Sequence, residues 1–132
     1  MTKDFSLTLL RNHIDTIKKA TPYMKEDMGG VLFYSFEGYP NVDKGDIINI
    51  TIKVDNESSV QTKAEVLDIS PPLVLPPDEE AFKYHKDILS KYYTDDLVNE
   101  MEKNYFNGKA QKSGWTIYMK VIDDLVNEMN YL

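Results

Sequence analysis

The sequence predicts an α+β fold: an N-terminal helix, a three- to four-stranded antiparallel sheet and a helical C-terminal half. Three observations predict it. Ile48, Ile50, Ile52 and Val54 alternate with Asn49, Thr51 and Lys53, the period of a half-buried strand. Apolar residues at both ends recur every three or four positions, as on one helix face. A proline-rich stretch at 70–77 separates the strand-like part from the helical part.

In chain order, Phe5 to Ala20 reads as the first helix, with Leu9, Leu10, His13, Ile14 and Ile17 on one stripe. Asp4 or Ser6 suits its start, Lys18-Lys19 its negative end, and Thr21-Pro22 its stop. Gly29-Gly30 opens a strand at 31–36, rich in aromatic and branched residues. Turns follow at Gly38-Tyr39-Pro40-Asn41 and Asp43-Lys44-Gly45-Asp46. Residues 47–54 and 60–69 form a hairpin across the polar turn at 55–59. The alternation of the return strand changes phase near Leu67, which signals a bulge. The three strands are expected as a meander.

Ser70 to Pro77 reads as an extended crossover, in which Leu73-Val74-Leu75 either covers a core edge or docks a partner. Asp78 is placed to cap the next helix, with Glu79 and Glu80 in its first turn. Its stripe of Phe82, His85, Ile88, Leu89, Tyr92 and Tyr93 leads on to Leu97, Val98, Met101 and Tyr105, as one long helix or two, the second capped by Thr94. Asn107-Gly108 ends this region. Trp115 to Val121 fits strand better than helix, and Asp123-Asp124 resembles a helix start. The 132 residues fit a single globular domain, 1–132.

Apolar residues make up 42% and charged residues 28%, which suits a folded protein. No apolar run approaches a membrane span, and the first residues lack a secretory signal's apolar core, so a cytoplasmic protein is expected. With no cysteine, thiolate catalysis, disulfides and cysteine-held metals are excluded. The net charge of −7 disfavours direct nucleic-acid binding and suits steering toward a basic protein surface. Fourteen of the fifteen basic residues are lysine, an imprint of an AT-rich genome such as a low-GC bacterium or its phage.

The heptapeptide Asp-Asp-Leu-Val-Asn-Glu-Met occurs twice, starting at Asp95 and at Asp123. In each copy Leu, Val and Met share one helical face and the aspartates sit where a helix dipole favours them. The structural reading is a reused amphipathic helix start, since most charged helix faces are simply solvated. The functional reading is a pair of acidic knobs, Asp95, Asp96 and Glu100 with Asp123, Asp124 and Glu128, for a basic partner. The spacing is not that of a calcium loop, so no metal site is assigned.

No catalytic fingerprint is present, so a non-enzymatic protein without cofactor is expected. His13 and His85 lie on apolar stripes, where a hydrogen-bonded structural histidine is commoner than a catalytic one. Nine tyrosines exceed what a core this size holds, and exposed tyrosines suit protein interfaces. In size and charge alone the chain resembles immunity, antitoxin and phage-inhibitor proteins. That resemblance implies a protein that binds and regulates a protein partner, here through the acidic residues above with Leu73 and Val74. The alternatives are a small-molecule binder or small enzyme with a pocket between sheet and helices, and a structural subunit or homo-oligomer such as a homodimer.

Overall fold

The structure is a computed structural model that describes residues 2–28, 30–53, 55–109 and 114–122. Eight main elements follow in the order β1 (Thr2–Leu9), α1 (Arg11–Ala20), β2 (Val31–Phe36), β3 (Ile47–Lys53), β4 (Ser59–Ser70), α2 (Glu79–Tyr92), α3 (Asp95–Phe106) and β5 (Trp115–Val121). The five strands form one mixed sheet in the order β1-β3-β4-β5-β2. Strand β1 runs parallel to β3, and every other neighbouring pair is antiparallel.

This corrects the expected fold in three ways. The described chain begins with a strand, not a helix. The sheet is five-stranded and mixed, not an antiparallel meander. The C-terminal half is not wholly helical, because β5 inserts between β4 and β2. The α+β class stands. The misreading of residues 5–9 has a physical cause. Leu7 and Leu9 are buried at a period of two, alternating with exposed Ser6 and Thr8. Leu9 and Leu10 also continue the helical stripe of Ile14 and Ile17, so the two periods overlap at the junction. The helix starts one residue after Leu10, whose backbone N–H donates to Nδ1 of His13 at 3.0 Å. His13 thus satisfies an amide that no helical carbonyl reaches, a structural role.

The hairpin of β3 and β4 forms as predicted, with Ile48, Ile50 and Ile52 at most 1% exposed. Burying each isoleucine contributes roughly 2 kcal/mol. The sheet curls so that its edges approach: Phe5 of β1 meets Phe36 of β2 edge-on, with ring centroids 6.1 Å apart. Inside the curl, Leu7, Leu9, Leu32, the three isoleucines, Ala64, Val66, Ile117 and Met119 pack with Ile14 and Ile17 of α1. A second cluster on the outer face joins Val31 and Tyr118 to Ile88, Tyr92, Tyr93 and Val98 of the α2–α3 layer.

The bulge expected near Leu67 is present, since the β4–β5 register shifts between Val66 and Asp68. Its consequence is large. Before it, β4 turns Thr62, Ala64 and Val66 inward. After it, Asp68 and Ser70 sit on the outer face, where they bond Tyr92 and His85 of α2. Side chains on a strand alternate faces, so one extra residue exchanges the two sets.

Asp78 caps α2 as predicted, accepting from the Ala81 amide at 3.0 Å. The helical region is two helices, with Thr94 as N-cap of α3 and Gly108 beyond it at φ 74°. Between β4 and α2 only part of the proline-rich stretch turns inward: Leu73 is half-buried, while Val74 and Leu75 are 50% and 48% exposed. Tyr105 of α3, fully buried, holds this stretch. Its hydroxyl donates to the Val74 carbonyl and accepts from the Asp78 amide. Tyr105→Phe removes both bonds and leaves that amide unmatched, so unfolding titrations should show a loss of about 2 kcal/mol. A loss below about 0.5 kcal/mol would mean water replaces the hydroxyl freely.

Candidate functional site

The chemistry-bearing residues gather at one end of the sheet, where β4 leaves, β5 enters and the loop at 37–46 passes from β2 to β3. Asp68 is their centre. It is 7% exposed, and three groups converge on it: the Tyr92 hydroxyl donates a short hydrogen bond, and the ammonium groups of Lys44 and Lys91 each lie 3.3 Å from Oδ1. Burial pushes the Asp68 carboxyl upward, but the hydroxyl and the two cations together outweigh it and hold the pKa below the usual aspartate value. The lysine side chains are half or more in solvent, so they screen the carboxylate while staying wet. Tyr92 in turn stacks on Tyr118, with centroids 4.4 Å apart and planes within 6°. Burial and the neighbouring carboxylate push the Tyr92 hydroxyl far above its usual pKa, so it is a donor at any ordinary pH.

Beside Asp68 runs an open groove of about 620 Å³. One wall is a single ridge of α2, where Tyr84, Asp87, Ile88 and Lys91 recur at helical spacing. Opposite stand Tyr39 and Trp115, packed edge to face at 4.7 Å. Tyr39 and Tyr84 are each 57% exposed. Among the described residues the lining is neutral overall, with two cations, Lys44 and Lys91, against two carboxylates, Asp68 and Asp87.

On the other side of α2 lies a second cavity of about 350 Å³, bounded by α2, α3, the start of β5 and residues Ser70, Pro71 and Leu73. His85 is part of its wall. The ring is 6% exposed, with Nδ1 3.1 Å from the Ser70 hydroxyl, and among the described residues no group meets buried Nε2 with hydrogen-bond geometry. Burial lowers the His85 pKa, and the carbonyls of Pro72 and Pro71 oppose this only in part, so the ring is held neutral.

The predicted partner-binding residues that the structure describes fall in two places, α3 and the stretch before α2. Asp95, Asp96 and Glu100 stand exposed on α3. The Thr94 amide donates to the Tyr23 carbonyl at 2.9 Å, which brings the exposed Tyr23 next to that acidic start. Leu73 lines the second cavity, and Val74 stands in solvent. Asp123, Asp124 and Glu128 lie outside the described residues. Sequence reasoning missed the groove, although two of the tyrosines counted as surplus, Tyr39 and Tyr84, sit in it.

Among the described residues no three histidine or carboxylate side chains converge as a metal site, and no helix is long and apolar enough to cross a membrane. No family model, curated protein or solved structure matches the chain.

Proposed function

We propose that this is a small acidic protein-binding module, which seats an apolar anchor of a basic partner protein in the groove beside α2. The observation that carries this is the set of three rings, Tyr39, Tyr84 and Trp115, around one open and electrically neutral groove. Tyrosine and tryptophan supply large contact area at small entropic cost and dominate binding energy in protein interfaces. A neutral aromatic lining favours an apolar or aromatic anchor over a charged one. The net charge of −7, with Asp95, Asp96 and Glu100 exposed on α3, steers a basic partner toward the molecule from a distance. Attraction and grip thus belong to different residues.

The test separates them. The wild-type chain, the groove variant Tyr39→Ala/Tyr84→Ala and the charge variant Asp95→Lys/Asp96→Lys serve as baits in native lysate at low and high salt. The partner so captured is then titrated against each. The groove variant should weaken binding by about tenfold or more, mostly through faster dissociation. The charge variant should slow association and lose most of its deficit at high salt. Equal affinity of wild type and groove variant would overturn the assignment.

A further inference from the structure

We infer that the cavity between α2, α3 and β5 is a binding site for a small monocarboxylate with an apolar body, distinct from the protein-docking groove. Three observations converge on it.

The first is shape and position. The cavity holds about 350 Å³, at the small end of the range for ligand sites, and lies between a sheet and two helices. The second is the character of its wall. Leu73, Phe82, Leu89 and Met101 present carbon, while Tyr118, Asn104 and Thr116 add neutral polar groups. Among the described residues, Lys109 is the one charged member of the lining, and no aspartate or glutamate joins it. A cation beside an apolar chamber with no competing carboxylate selects an anionic head on an apolar body.

The third is His85. It is more than nine-tenths buried, belongs to the same wall, and among the described residues Nε2 finds no hydrogen-bond partner. A buried polar nitrogen without a partner costs free energy, and proteins rarely tolerate one without a use for it. The Ser70 hydroxyl engages Nδ1 and so fixes the ring's orientation, as a second group does for a binding histidine. With the Ser70 hydroxyl donating to Nδ1, the neutral ring carries its proton on Nε2, and a ligand carboxyl oxygen accepts that hydrogen bond while Lys109 balances the charge. The ring and the lysine lie on different elements, α2 and the segment after α3, so the ligand ties those elements together.

Benzoate is the probe, with benzamide as its neutral isostere. Binding is followed by isothermal titration and by the imidazole proton resonances in NMR. Benzoate should bind saturably and shift the His85 resonances while leaving those of His13 in place. Benzamide should bind at least about tenfold more weakly. Lys109→Met changes an exposed residue and should fold normally. It should bring benzoate down to the level of benzamide. Leu89→Trp should fill the chamber and abolish binding of both. Should that variant lose its structure, Met101→Phe, a smaller obstruction, serves instead. Tyr39→Ala, in the groove on the far side of α2, should bind benzoate as wild type does. The inference is overturned if benzoate leaves the His85 resonances unmoved at millimolar concentration. It is equally overturned if benzamide matches benzoate, or if Lys109→Met and the filling variants bind as wild type does. Loss of benzoate binding in Tyr39→Ala would place the probe in the groove instead.

Discussion

Asp68→Ala should lower the unfolding free energy by about 3 kcal/mol, a large loss for any single polar side chain. The carboxylate satisfies the buried Tyr92 hydroxyl and sits between Lys44 and Lys91. Removing it leaves that donor unmatched against the Tyr118 ring and two cations facing each other with no anion between them. The ion pairs themselves contribute little, because both lysines are well solvated. Most of the loss therefore comes from the hydroxyl, and Asp68→Asn, which keeps an acceptor, should recover more than half of it. Denaturant titration decides: equal losses for alanine and asparagine would mean that charge, not the hydrogen bond, holds this corner.

The same residue sets an acid limb. Its folded pKa lies below the unfolded value of 3.8, so its contribution is complete above that pH. It is lost as pH falls through 3.8 toward the folded value. His85 acts in a separate window. Its pKa is lowered by burial, so the unfolded chain takes up the proton first, and stability declines as pH falls below 6.5. Asp68→Asn should flatten only the lower limb.

The second large effect is expected at Gly114. A Cβ there would fall within the backbone carbonyl of Phe36, an atom that no rotamer change can move aside. Gly114→Ala must push β5 away from β2 where Trp115 pairs with Phe36. It should cost about 2–3 kcal/mol. It should also loosen the Tyr39–Trp115 contact and so weaken partner binding, whereas Gly38→Ala, which meets open space, should do neither. Thermal melts of the two variants give the comparison, and equal melting temperatures would count against the tight β2–β5 approach.

The signals that were legible are those in which neighbours along the chain decide the structure. Alternation over 47–53 and 60–66, the Asp78 cap, the Thr94 break and the phase change at Leu67 are all local, and each appears where expected. The residues that misled are those whose partners are distant. Strand β1 takes its identity from parallel pairing with β3, as in Leu7 with Ile50, and nothing within residues 5–9 announces that partner. The order of β2 was equally hidden, because it pairs with β5 and not with β3, which follows it in sequence. The site shares this limit. Tyr39 and Lys44 of one loop, Asp68, Tyr84 and Trp115 come from four separate stretches of chain, and only the ridge from Tyr84 to Lys91 has a spacing of its own. The apolar stripe marks His85 as a hydrogen-bonded structural residue. It is that on one nitrogen, and the orphaned second nitrogen carries no mark in sequence.

The strand order bears on synthesis. The ribosome makes β5 after every other strand described here, yet β5 lies inside the sheet, between β4 and β2. Until residues 115–121 leave the exit tunnel, β4 and β2 each carry an open edge that later becomes internal. Such edges invite pairing with the wrong strand. The partner of Val31 is Lys120, so joining this edge closes a long loop and is slow by that entropy alone. The charges Lys63 and Glu65, exposed along β4, stand beside its open edge, where they discourage premature contacts between nascent copies.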